Sequence, residues 1–133
     1  MDFPSEAFFA TLVDAFNADP DGSAAARGWQ GDLALVVERE AEPPFIAWAR
    51  PGDGGIEQFR VLSRVEELEA LSPAYEARAS LRTWRRLLHR ELDPIQAILL
   101  RDLRVRGDLQ QLVARLRFAG LGQRLLAHVL PQG

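Results

Sequence analysis

Phe8, Phe9, Leu12, Val13 and Phe16 recur at helical spacing behind Ser5, which predicts a Ser-capped helix running to about Phe16. The stretch 17–22 (Asn-Ala-Asp-Pro-Asp-Gly) ends it, and 23–27 can make a short helical turn before Trp29. From Gly31 the period changes to two. Leu33, Leu35 and Val37 alternate with Ala34, Val36 and Glu38, the pattern of a strand with two unlike faces. Pro43-Pro44 is a break, and a second strand runs from Phe45 to Arg50. The turn 51–55 (Pro-Gly-Asp-Gly-Gly) returns the chain into a third strand, 56–62. The acidic stretch 65–71 reads as a helical turn or a loop. Tyr75, Ala77, Ala79 and Leu81 alternate with Glu76, Arg78 and Ser80 as a fourth strand with small inner residues. Trp84, Leu87 and Leu88 then stripe one helix, and Asp93-Pro94 opens another with Ile95, Ile98 and Leu99 as its apolar face. Leu103 and Val105 mark a short fifth strand. Asp108 caps a helix striped by Leu109, Leu112, Val113 and Leu116, and an apolar segment 121–130 closes the chain.

This order predicts an α+β fold: a five-stranded, mainly antiparallel sheet with helices packed on one face, and an apolar tunnel between them if that space is not filled. Strand five follows a helical crossover, so parallel pairing with a neighbour is expected for it. The 133 residues form one domain, 1–133, long enough to bury a core without disulfide or metal.

Composition then removes chemistries. There is no Cys, and all 16 basic residues are Arg, so thiolate sites, Schiff-base lysines and P-loop lysines are excluded. The net charge of −3 hides a division: residues 1–76 hold 15 of the 19 acids and only 5 of the 16 arginines. Two faces of one domain, or an attraction within it, account for that split without nucleic acid. The acidic start predicts no secretion signal, and no apolar run is long enough to span a bilayer, so the expected location is cytoplasmic.

Candidate catalytic groups are sparse. Glu38, Glu40 and Glu42, and Glu66, Glu67 and Glu69, read as solvated faces. His89 and His128 lie far apart and lack a metal-ligand pattern. No nucleophile-elbow motif accompanies any Ser-His-Asp combination, and the glycine-rich turn lacks phosphate-loop spacing. Arg106-Gly107-Asp108 is a strand end and a helix cap. No metal, cofactor or catalytic residue is therefore expected, and the chain is read as no enzyme. Arg82, Arg85, Arg86 and Arg90 give one helix a basic face that suits the acidic half, an anionic lipid surface or a partner protein. Aromatic residues are not interleaved with them, as a nucleic-acid stacking platform would require.

The residues from Tyr75 to Leu116 resemble the sterol carrier protein 2 family of lipid-transfer domains. The likeness rests on Ala77 and Ala79 in a strand, Trp84 in a helix, Leu92-Asp93-Pro94 at a helix start, Leu103-Arg104-Val105 in a short strand, and Gly107-Asp108 opening a helix. Trp29-Gln30-Gly31 and the meander through Leu62 fit the same order upstream. The turn before strand five departs from the family's glycine-lysine pattern and reads Leu100-Arg101-Asp102. The resemblance implies non-catalytic binding of a small hydrophobic ligand (fatty acid, acyl chain, sterol-like or quinone lipid) in an apolar tunnel. The expected lining is Trp84, Leu87, Leu88, Ile95, Ile98, Leu99, Leu103, Val105, Leu109, Leu112, Val113, Leu116, Leu121 and Leu125. Arg78, Arg82 and Arg104 are the head-group candidates. Transient contact with a membrane surface and a homodimer are the further partners to consider. The alternative is an interaction or dimerisation module of the same fold with its tunnel filled, accessory to a lipid or quinone pathway.

Overall fold

The computed structural model describes residues 2–108 and 119–129. Helix α1 (Glu6–Ala18) starts where expected, with the Ser5 hydroxyl accepting the Phe8 amide at 3.1 Å. Asp19 then ends α1 and caps α2 (Pro20–Ala26) by accepting from the Asp21 amide. The expected break is therefore a tight corner between helices, because proline at a first helical position costs no hydrogen bond.

Strands β1 (Leu33–Glu38), β2 (Phe45–Gly52) and β3 (Gly55–Leu62) form the antiparallel meander. Helix α3 (Val65–Leu71) leads to β4 (Tyr75–Ser80), which is followed by α4 (Leu81–Leu88), α5 (Pro94–Leu99) and β5 (Arg104–Arg106). The last described helix, α6, is Ala119–Leu126. The strand order is β3-β2-β1-β4-β5.

The parallel pair is β1 with β4, while β5 returns antiparallel to β4. This corrects the expectation for strand five. The crossover that sets parallel pairing is the one through α3, since β3 and β4 run in the same direction with β2 and β1 between them.

Alternation gives the sheet two faces. One carries Leu35, Ala47 and Phe59, against which Phe8, Phe9, Leu88, Leu126 and Val129 pack. The same face continues through Ala77, Ala79 and Val105 to Leu87, Ala97, Ile98 and Leu103. The other face carries Ala34, Val36, Ile46, Trp48 and Leu62, closed by Leu68 of α3. Asp32 fixes the point where β1 and β4 begin side by side. Its carboxylate accepts from the Trp48 indole at 2.7 Å and the Ala74 amide at 3.0 Å, and its carbonyl accepts from the Tyr75 amide at 3.1 Å. Burial raises the Asp32 carboxyl pKa, but the Trp48 and Ala74 donors, its own amide and the charge of Arg50 together outweigh it and hold the group below the usual value.

Candidate functional site

The helix-covered face does not close completely. A cavity of about 200 Å³ remains between α1, the β1–β3 meander and α6. Its floor comprises Leu33 and Leu35 of β1, Ala47, Trp48 and Ala49 of β2, and Ile56 and Phe59 of β3. Its roof is Phe9, Leu12, Val13 and Phe16, spaced one helical face apart on α1, and Leu125 of α6. Every lining residue is apolar. Ala47 and Ala49 make the space: between the large side chains of α1 and Phe59, two alanines leave the sheet floor low.

A second hollow of about 80 Å³ lies beyond Phe9, Leu12 and Leu35, which wall both, and extends to Phe3, Phe8, Val37, Trp84 and Leu88. Phe9 is held in place by stacking on Phe45, with ring centroids 5.6 Å apart and planes within 17°. The Trp84 indole donates to the Val36 carbonyl at 3.0 Å, so its polar atom is satisfied and its ring is free to serve as wall.

Polar clamps sit directly beside this apolar wall. Asn17, next to Phe16, accepts from the Ile56 amide at 2.7 Å and donates to the Ile56 carbonyl at 3.2 Å. Gly55 has φ +139°, and a side chain there would collide with Asn17. Arg124, next to Leu125, bonds Asp19 at 3.1 Å and Asp21 at 2.7 Å. The Arg124 guanidinium and then the Asp21 amide hold the Asp19 carboxyl below its usual pKa, and the two carboxylates raise that of Arg124.

The sequence-predicted lining residues divide into several groups. Leu125 walls the larger cavity, and Trp84 and Leu88 wall the smaller. Leu87, Ile98, Leu103 and Val105 pack with Ala79 and Ala97 in a separate cluster. Leu121 is buried, while Ile95 and Leu99 are exposed on the surface. Leu109, Leu112, Val113 and Leu116 lie outside the described residues.

The head-group candidates are elsewhere. Arg78 and Arg104 project from the opposite face of the sheet, because they alternate with Ala77 and Val105. There Arg78 and Arg104 hold Glu38, while Glu76 lies 3.4 Å from Arg78 and 3.6 Å from Arg106. Arg82 borders an open surface cleft beside Glu38, Arg85, Arg86 and Glu91. The contribution of α1 was missed from sequence. The sequence held two local signals, the apolar stripe of α1 and the alternate alanines Ala47 and Ala49, but not that one covers the other.

The cavity walls carry no nucleophile, acid or base. Among the described residues no three His, Asp or Glu side chains gather as a metal site, and no helix is long and apolar enough to cross a membrane. What this arrangement can do is shelter hydrocarbon.

No protein-family model and no curated protein matches the chain. Solved structures do. A crystal structure of sterol carrier protein 2 aligns at TM-score 0.75 and 18% identity, over 97% of this chain and 100% of that one. A Thermus thermophilus protein described as possibly a sterol carrier protein aligns at TM-score 0.69 and 20% identity, over 97% and 88%. The palmitated SCP2L2 of Aedes aegypti aligns at TM-score 0.51 and 16% identity, over 95% and 97%. The architecture is thus that of the α+β sterol carrier protein fold. This chain has the sterol carrier protein 2 fold over nearly its whole length.

Proposed function

We propose that this protein is a non-catalytic carrier that binds a hydrophobic ligand in the space between α1, α6 and the sheet. A fatty acid, acyl chain, sterol-like or quinone lipid fits this role. The observation that carries the reading is the wholly apolar lining of the 200 Å³ cavity, with the smaller hollow directly beyond Phe9. Burying a hydrocarbon chain there yields about 0.8 kcal/mol per methylene without any polar partner. The palmitated Aedes aegypti protein of the same fold supports an acyl group as cargo.

Arg78 and Arg104 would not meet the head group, because they project from the opposite face of the sheet. Native mass spectrometry of freshly purified protein is expected to show a co-purified lipid, and a fluorescent fatty acid should bind and be displaced by palmitate. A ligand-free spectrum together with no fluorescent binding would overturn the reading.

One observation favours a second reading. The two hollows together stay below the roughly 300 Å³ at which drug-sized pockets begin. An interaction or dimerisation module with its tunnel filled would show that volume and no ligand. Sedimentation equilibrium separates the two: a monomer that binds the acid supports the carrier, and a dimer that does not supports the module.

A further inference from the structure

We propose that α4, α5 and the turns ending them form a docking face for an anionic phospholipid membrane. The first observation is a contrast in how the arginines are used. Arg39, Arg60, Arg78, Arg104, Arg106 and Arg124 each hold a carboxylate. Among the described residues, no ion pair or hydrogen bond engages the side chains of Arg82, Arg85, Arg86, Arg90 or Arg101; Arg27 and Arg64 are unpaired as well but stand singly, whereas these five are gathered in one stretch. These five fall within residues 82–102, where the acids are Glu91, Asp93 and Asp102. Asp93 is occupied as the cap of α5, accepting from the Gln96 amide. Glu38, Glu40 and Glu91 share the open cleft with Arg82, Arg85 and Arg86 and leave them unbridged.

The second observation is apolar. Ile95, Leu99 and Leu100 are 58%, 75% and 65% exposed. Ile95 and Leu99 stand one turn apart on the outer side of α5, whose inner side buries Ala97.

The third is conformational. Arg90 and Arg101 each stand two residues beyond the end of their helix, with φ of 59° and 63°. Helices usually place glycine at such a left-handed position. Here the strained position carries an exposed arginine twice. The helix dipole favours a cation at that end, but it gives no reason for the exposed Leu99 and Leu100 beside Arg101.

Aliphatic side chains in solvent, bordered by unpaired arginines, match the chemistry of an anionic bilayer surface. Hydrocarbon enters the interface and guanidinium meets phosphate. A protein partner fits less well, since a stable interface needs about 800 Å² and 20–30 residues from each side. The inference deepens the carrier reading by giving the cargo a place of entry and exit, and it rests on that reading only for its purpose.

The test is sedimentation of the full-length protein with vesicles of phosphatidylcholine alone or mixed with phosphatidylserine. Binding is expected only to the mixed vesicles and should weaken with salt. The double variant Arg90→Gly/Arg101→Gly removes two charges and relieves two left-handed residues, so its melting temperature should hold or rise. Its partitioning should fall about fivefold per charge. Leu99→Ser/Leu100→Ser should lower partitioning as well, with its fold intact because both side chains are already in water. Vesicle-free displacement of a fluorescent fatty acid should be unchanged in both, which separates failure of docking from failure of cargo binding. No binding to phosphatidylserine vesicles, or binding indifferent to both double variants, overturns the proposal. So does a wild-type dimer that Leu99→Ser/Leu100→Ser dissociates, since a second copy would then own the face.

Discussion

Two regions of the sheet differ in how completely they are filled: the apolar cluster around Ala34 on one face, which gives way to an open polar cleft of about 400 Å³ between α3, β4 and β5, and the apolar space over Ala47 on the other. Ala34 and Ala47 make the point. They lie on neighbouring strands, one on each face, and both are buried. Ala34 sits beside Trp48 in a cluster with Ile46 and Leu62 that Leu68 of α3 covers, and there the large neighbours have filled the space left by a small residue. Ala47 sits beneath Phe9, Leu12 and Phe59, where the neighbours have not. The filled cluster is fixed at its edge by Asp32, while the arginine-glutamate pairs of β4 and β5 line the open cleft beyond Leu68. The space over Ala47 is roofed by α1 and α6. At Ala34 and Ala47, tight apolar packing and apolar space are thus separated by one residue of strand register.

The largest effect expected from disturbing this division is in the filled cluster. Leu62→Ala removes a side chain that is 2% exposed and should cost about 2–5 kcal/mol in a urea titration. Fatty-acid affinity of the protein that remains folded should not change. A large loss of affinity would mean that the faces are coupled.

A matched pair of substitutions sharpens the comparison. Ala34→Leu overpacks its site and should cost about 1–3 kcal/mol while leaving fatty-acid displacement intact. Ala47→Leu places the same extra atoms into the 200 Å³ cavity, so stability should hold or rise while displacement is lost. Equal destabilisation by both would show that the cavity is not available space.

Next is the pin at the strand start. Asp32→Asn leaves one good acceptor for two donors, and the expected cost at neutral pH is about 1–2 kcal/mol. The folded carboxyl titrates below its unfolded value of about 3.9. Its contribution is therefore present above that pH and lost as the pH falls through the lower folded value. Asp19, depressed by Arg124, acts in the same direction. Denaturation midpoints followed from neutral pH into acid should fall for the native chain and fall less steeply for Asp32→Asn.

Much of this division was legible in the sequence. The parity of Leu33, Leu35 and Val37 against Ala34 and Val36 defines the faces, and Ser5 and Asp93 declare their helix starts by their own chemistry. The same parity argues against Arg78 and Arg104 as head-group ligands, because each alternates with an inward residue of its strand. What periodicity could not supply was partnership across the fold. Nothing local in the stripe Phe9, Leu12, Val13, Phe16 says which strand it will cover. Nothing in β5 says that the parallel neighbour of β4 is β1. A stripe of apolar residues on a short helix likewise looks the same whether it packs inward, as with the partly buried Ile98 and its cluster, or is left in solvent, as with Leu99.

The smallest expected effect on stability belongs to Arg124. It is an exposed side chain joined to Asp19 and Asp21, and such surface pairs contribute little to global folding. Its position gives it a different leverage. Arg124 precedes Leu125, which roofs the cavity, and its two partners occupy the corner between α1 and α2, a few residues from Phe16. Breaking the pair loosens the attachment of α6 to that corner without removing any wall. Arg124→Gln should therefore leave the urea midpoint almost unmoved while speeding release of a bound fluorescent fatty acid in stopped-flow displacement. High salt should speed release from the native chain and have less effect on the variant, because screening acts on the same pair. Release that is equally salt-sensitive in both would place the control of exit in the apolar contacts of Leu126 and Val129 with the Phe8–Phe9 cluster instead.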